Sequence, residues 1–193
     1  MSAFSALNLF KSSSKSAAKQ QGLQLADARE RLSIHAGFSS FHDLHTVADK
    51  SPEDVRLLRC VFGVNDYESV VMLPHVFDEV KAKVTKLALL NIDSPTAYQN
   101  MLMDDPYVSC RYQSDTGVLI VLLRAGLKGV TKEGFTQTAE WWSALVNFEV
   151  KFREGQWSLV PSSVDLRMMR FFDDVESDED VWFEDLPSSE FWG

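Results

Sequence analysis

The chain reads as an α+β protein: an N-terminal helical region, then a four- or five-stranded antiparallel sheet, then an acidic aromatic tail. Three observations predict this. Apolar residues recur at three- and four-residue spacing as far as Met103, they alternate with polar ones from Val108 onward, and nine acids with no base crowd the segment from Phe171 to the last residue. At 193 residues and 45% hydrophobic, the chain has enough apolar material for a sizeable core.

The elements follow in order. Residues 1–21 hold Lys11, Lys15 and Lys19 with a Ser/Lys run, Lys11-Ser12-Ser13-Ser14-Lys15-Ser16, and read as a basic semi-ordered arm with a short amphipathic turn around Phe4, Leu7, Leu9 and Phe10. Residues 22–63 form a small helical unit. Leu25, Ala28 and Leu32 share a face of its first helix, Gly37 ends that helix, and Ser39 or Ser40 caps a second one through Phe41, Leu44, His45 and Val47. Ser51-Pro52-Glu53-Asp54 predicts a third helix start with Ser at the cap and Pro at the first helical position. Val55, Leu58, Val61 and Phe62 then point inward up to Gly63.

An α+β domain is expected over 64–170, with helices across 67–103 and the antiparallel sheet across 107–168. Pro74 starts or kinks a helix, and Asp104-Asp105-Pro106 closes the helical half. Val118 to Leu123 predicts a strand buried on both faces, and Gly126, Gly129 and Gly134 a connection. Val146, Phe148, Val150 and Phe152 predict a half-buried strand, followed by a Glu154-Gly155 hairpin into Trp157 and a last strand from Val164 to Met168.

Charge is segregated. Up to Arg170 the 19 bases are balanced by 19 acids, so the formal net charge of -9 belongs to the tail, 171–193. That tail interleaves Phe171, Phe172, Trp182, Phe183, Phe191 and Trp192 with Asp173, Asp174, Glu176, Asp178, Glu179, Asp180, Glu184, Asp185 and Glu190. A tail serving solubility alone needs no such aromatics. Two readings follow: the aromatics dock on the protein's own sheet, or acids and aromatics together engage a basic partner.

Catalytic chemistry has little to stand on. The chain has no Gly-x-Ser-x-Gly elbow, Walker loop or dinucleotide fingerprint. His42 and His45 share a helix face but lack a third ligand in sequence, so no metal and no cofactor is expected. Cys60 and Cys110 read as buried free thiols. The longest apolar run, Val118 to Leu123, is too short to span a bilayer, and no signal-peptide pattern opens the chain, so the expected location is the cytoplasm.

The segment Gln21-Gly22-Leu23-Gln24-Leu25-Ala26-Asp27-Ala28-Arg29-Glu30-Arg31-Leu32, followed by Ala36-Gly37-Phe38-Ser39-Ser40-Phe41-His42-Asp43-Leu44, resembles a short helical hairpin near the N-terminus of uncharacterised plasmid and mobile-element proteins. The resemblance covers about 25 residues and implies a bacterial mobile-element setting; it carries no site residues.

The expected function is non-enzymatic protein binding, with residues 171–193 contacting a basic surface such as that of a nucleic-acid-binding protein. An inhibitor that mimics nucleic acid is one form of it. One alternative is a small-ligand pocket or enzyme on a curved sheet, lined by Trp141, Trp142, Phe148 and Trp157, in the manner of cone-shaped pocket folds. Another is direct nucleic-acid binding through the basic arm and the helical unit. The helix after Gly37 carries two acids and one base, Asp43, Asp49 and Lys50, which argues against groove entry. The sequence leaves oligomeric state open.

Overall fold

Helix formation begins earlier than the Ser/Lys composition suggests. In the computed structural model, which describes residues 2–92, 98, 100–131 and 136–171, the stretch expected as a semi-ordered arm is helix α1, Ala6–Gln21. Leu7, Phe10, Ser14 and Ala18 recur at three- and four-residue spacing and are buried. The serines return their hydroxyls to the helix itself: Ser13 donates to the Phe10 carbonyl and Ser14 to that of Lys11. That internal satisfaction is why a polar run packs. Gly22, at φ +65°, supplies the left-handed residue that ends the helix.

Helices α2 (Leu25–His35), α3 (Phe41–Lys50) and α4 (Val55–Phe62) form the expected helical unit, with differences at the ends. Ser40 caps α3, its hydroxyl accepting from the Asp43 N–H at 3.1 Å. The cap of α4 is Asp54 rather than Ser51. Its carboxylate accepts from the Arg56 backbone N–H at 2.9 Å and from the Arg56 guanidinium at 2.9 and 3.0 Å, which leaves Ser51-Pro52-Glu53 in the preceding turn. Leu57, Leu58 and Phe62 face inward, whereas Leu25 and Val55, expected inside, are exposed.

A short helix α5 (Glu68–Val71) leads to α6 (Pro74–Asn91), where Pro74 opens the helix and Val76, Val80, Val84 and Ala88 make one buried stripe. The helical half ends there. Residues 100–103, expected as helix, belong to strand β1 (Asn100–Gln113), in which Met101 is buried and Leu102 exposed. Asp104-Asp105-Pro106 therefore sits inside a strand. The register shifts between Asp104 and Tyr107, and β1 is an edge, where a proline costs no ladder hydrogen bond.

Strands β2 (Val118–Val130), β3 (Thr136–Arg153), β4 (Gln156–Leu159) and β5 (Asp165–Phe171) complete an antiparallel sheet of order β1-β2-β3-β4, with β5 pairing β3 beyond β4. The protein is α+β, as expected. Gly126 and Gly129 lie within β2 rather than in a connection, and Gly134 lies outside the described residues. The β3–β4 hairpin turns at Glu154 and Gly155, both at positive φ.

One buried cluster runs from Phe10, Leu44 and Leu57 through Phe62 to Val121, Val146 and Phe148. Helical unit and sheet share this core, so the expected boundary near residue 63 marks no gap in packing. Among the described residues no helix is long and apolar enough to cross a membrane.

Candidate functional site

The expected pocket is filled. Trp142, Phe148 and Trp157 are 6%, 2% and 3% exposed and belong to the shared core. The physical reason is that the helices lie on this face of the sheet and occupy the space a ligand would need. Trp157 packs against Phe62 at 5.5 Å and Phe152 at 4.9 Å between ring centroids, and its indole N–H donates to the Phe62 carbonyl at 3.3 Å. His75 Nε2 lies 3.0 Å from the Trp157 carbonyl oxygen, a link between α6 and β4. Trp141 is placed through its backbone, opposite Lys128 and Phe171; its side chain lies outside the described residues.

At the edge of this aromatic cluster, a shallow cleft of about 130 Å³ is bordered by Glu53, Leu58, Asn65, Asp66, Tyr67, Glu68 and Cys110. Cys110 is half-buried rather than fully buried, and desolvation, with Glu68 adding to it, pushes its thiol up to about 12. A thiol kept protonated by burial and neighbouring acids is a poor nucleophile and a poor metal ligand. Tyr67 and Tyr112 are likewise raised, chiefly by burial. Cys60, expected inside, is exposed. Among the described residues no group of three or more His, Cys, Asp or Glu side chains is placed to hold a metal ion.

The other face of the sheet is different. Val118 to Leu123 was expected to be covered on both sides; Val118 is buried, but from Leu119 onward the odd-numbered positions of β2 are the buried ones and Ile120, Leu122, Arg124 and Lys128 are half-buried on the opposite face. Register aligns a row of side chains across four strands: Tyr107 on β1, Arg124 on β2, Leu145 on β3 and Arg167 on β5. The neighbouring rows place Ser109, Leu122, Asn147 and Asp165 together, and Arg111, Ile120 and Glu149 together. Tyr107 is 66% exposed and Met169 55%. Lys128 pairs with Asp104, while Arg167 and Asp165 are 3.9 Å apart. Arg124 Nε is shielded from solvent and has no hydrogen-bond partner among the described residues. This face sets the cations Arg111, Arg124, Lys128, Lys151 and Arg167 against the acids Asp104, Glu149 and Asp165, with apolar side chains between them. Parity along β2 was visible in the sequence, but which parity the helices cover was not.

Of the tail residues, Phe171 is placed by its backbone as the last residue of β5. Phe172, Asp173, Asp174, Glu176, Asp178, Glu179, Asp180, Trp182, Phe183, Glu184, Asp185, Glu190, Phe191 and Trp192 lie outside the described residues. The N-terminal lysines lie on α1, four residues apart, with Lys15 and Lys19 exposed and Lys11 half-buried. No protein-family model matches the chain, and neither a curated protein nor a solved structure matches it significantly.

Proposed function

We propose that this chain is a non-enzymatic binding protein that engages a basic partner surface through residues 171–193. One observation carries the reading: bases and acids balance in residues 1–170, whereas nine acids and six aromatics stand without a base in the tail. Aromatics supply contact energy at an interface, and charges supply steering and register. The filled sheet interior and the protonated state favoured for Cys110 weigh against the pocket and nucleophile alternatives. In the mobile-element setting that the N-terminal hairpin implies, such a protein acts in the cytoplasm, and one form of it is an inhibitor that occupies the nucleic-acid channel of its target.

The test uses three baits against a bacterial lysate: the intact chain, a chain ending at Arg170, and a chain whose tail Phe and Trp residues are changed to Ser at constant charge. The expected result is a basic protein retained by the first and lost from the other two. Retention of the same proteins by all three overturns the reading.

A second reading rests on the Lys11, Lys15 and Lys19 spacing along α1, which suits phosphate contacts with nucleic acid. It predicts a shift of DNA or RNA at low salt that Lys15→Gln and Lys19→Gln together abolish.

A further inference from the structure

We propose that the open face of the sheet is the resting dock for the chain's own tail, residues 172–193, so that the tail is held in cis until a basic partner displaces it. The inference rests on the tail-binding reading above and adds the surface that competes for the tail.

Four features favour this occupant. Charge is the first: the face carries the cations Arg111, Arg124, Lys128, Lys151 and Arg167 against the acids Asp104, Glu149 and Asp165, two of which already pair with Lys128 and Arg167, and the tail after Phe171 carries nine acids and no base. Apolar content is the second, because Tyr107 and Met169 stand exposed beside those cations and the tail brings five aromatics after Phe171. Connectivity is the third. The tail leaves from the end of β5, whose Phe171 is in register with Trp141, itself opposite Lys128, so it starts at the border of this surface. Reach is the fourth. Crossing from β5 to β1 spans three strand spacings, roughly 14 Å, whereas the tail extended covers on the order of 70 Å.

Arg124 sharpens the assignment. Its Nε is shielded from water at the middle of the cross-strand row and lacks a partner among the described residues. The residue as a whole is half-open, and a carboxylate arriving from the solvent side is the chemistry that pairs with its guanidinium. Holding the tail in cis also raises its effective concentration at the face far above that of any free competitor. A partner must then offer a denser basic surface than the sheet does, which makes the dock a threshold on binding.

The experiment is zero-length carbodiimide coupling of carboxylates to lysines in the full-length protein, read by mass spectrometry on a mixture of isotopically light and heavy chains. The expected products join tail Asp or Glu residues to Lys128 or to Lys151, both on β2 or β3, within one copy. Their yield falls by roughly 3- to 10-fold in the Arg124→Gln, Arg167→Gln double variant and at high salt. Coupling of the tail chiefly to Lys11, Lys15 or Lys19, coupling between light and heavy copies, or no tail coupling in the wild-type chain overturns the proposal. The wild-type result stands without the variant, so a folding defect in the variant leaves the test intact.

The two readings fail separately. Cis coupling with identical capture by all three baits refutes the partner reading alone, and tail-dependent capture without cis coupling refutes the dock alone. Where both hold, the double variant captures more partner than the wild-type chain.

Discussion

Along β2, Leu119, Val121, Leu123 and Leu127 are buried beneath the helices, whereas Ile120, Leu122, Arg124 and Lys128 alternate with them and remain half-open. One strand therefore serves two surfaces. The covered surface is made of aromatics and aliphatics whose few polar groups are spent inside the fold, as when the Trp157 indole meets the Phe62 carbonyl. The open surface mixes cations with exposed Tyr107 and Met169. The difference separates residues that hold the protein together from residues that face outward from the covered core.

That contrast can be broken most directly by truncation in the core. Phe148→Ala or Trp157→Ala should lower the unfolding free energy by about 3–5 kcal/mol in urea titrations, because each leaves a cavity in a packed layer. A cost below that of an open-face change would dissolve the distinction.

The two glycines of β2 sharpen it at the level of one methyl group. A Cβ at Gly129 would collide with the Tyr98 ring, so Gly129→Ala should cost about 1–3 kcal/mol. A Cβ at Gly126, on the open side, meets Asp104 at 3.8 Å, an ordinary contact, so Gly126→Ala should be neutral or stabilising by up to about 1 kcal/mol. Thermal melts of the pair check both signs.

The helices that cover the sheet depend on their caps. Asp54→Ala should cost about 1 kcal/mol. Hydrogen bonds from the Arg56 guanidinium and backbone hold the Asp54 carboxyl below the usual aspartate range. A depressed carboxyl contributes stability above its unfolded value and loses it as pH falls through the folded one. The gap between wild type and Asp54→Ala in urea titrations should accordingly shrink below about pH 4.

At the rim of the covered face the sign reverses. The Cys110 thiol is raised to about 12, so its contribution is complete below its unfolded value near 9 and is lost as pH rises toward 12. Alkylation mapped by mass spectrometry at pH 8 should modify exposed Cys60 well before Cys110. The smallest expected effect lies on the open face: Tyr107→Ser and Met169→Ser should each change stability by within about 0.5 kcal/mol in the same titrations.

Much of the fold was legible in the residues. The caps at Ser40 and Gly63, the Pro74 helix start, the Glu154-Gly155 hairpin and the alternation through Val146, Phe148 and Val150 are local signals, and the structure realises each of them. The departures have local causes too. The α1 serines look like linker residues until their hydroxyls turn back on the helix, and Asp104-Asp105-Pro106 looks like a helix stop until it falls on an edge strand. The tryptophans of the expected pocket were named by analogy with cone-shaped pocket folds, which says nothing about which face the helices cover here.

By itself, the sequence determined the α+β order of elements, their local starts and stops, and the concentration of net negative charge in residues 171–193, because periodicity, capping chemistry and charge are properties of neighbouring residues. Only the tertiary structure decided that Trp142, Phe148 and Trp157 fill a core and that Tyr107, Arg124, Leu145 and Arg167 line up across four strands. Those relations depend on strand register and on where the helices dock, which are set by contacts between residues far apart in the chain.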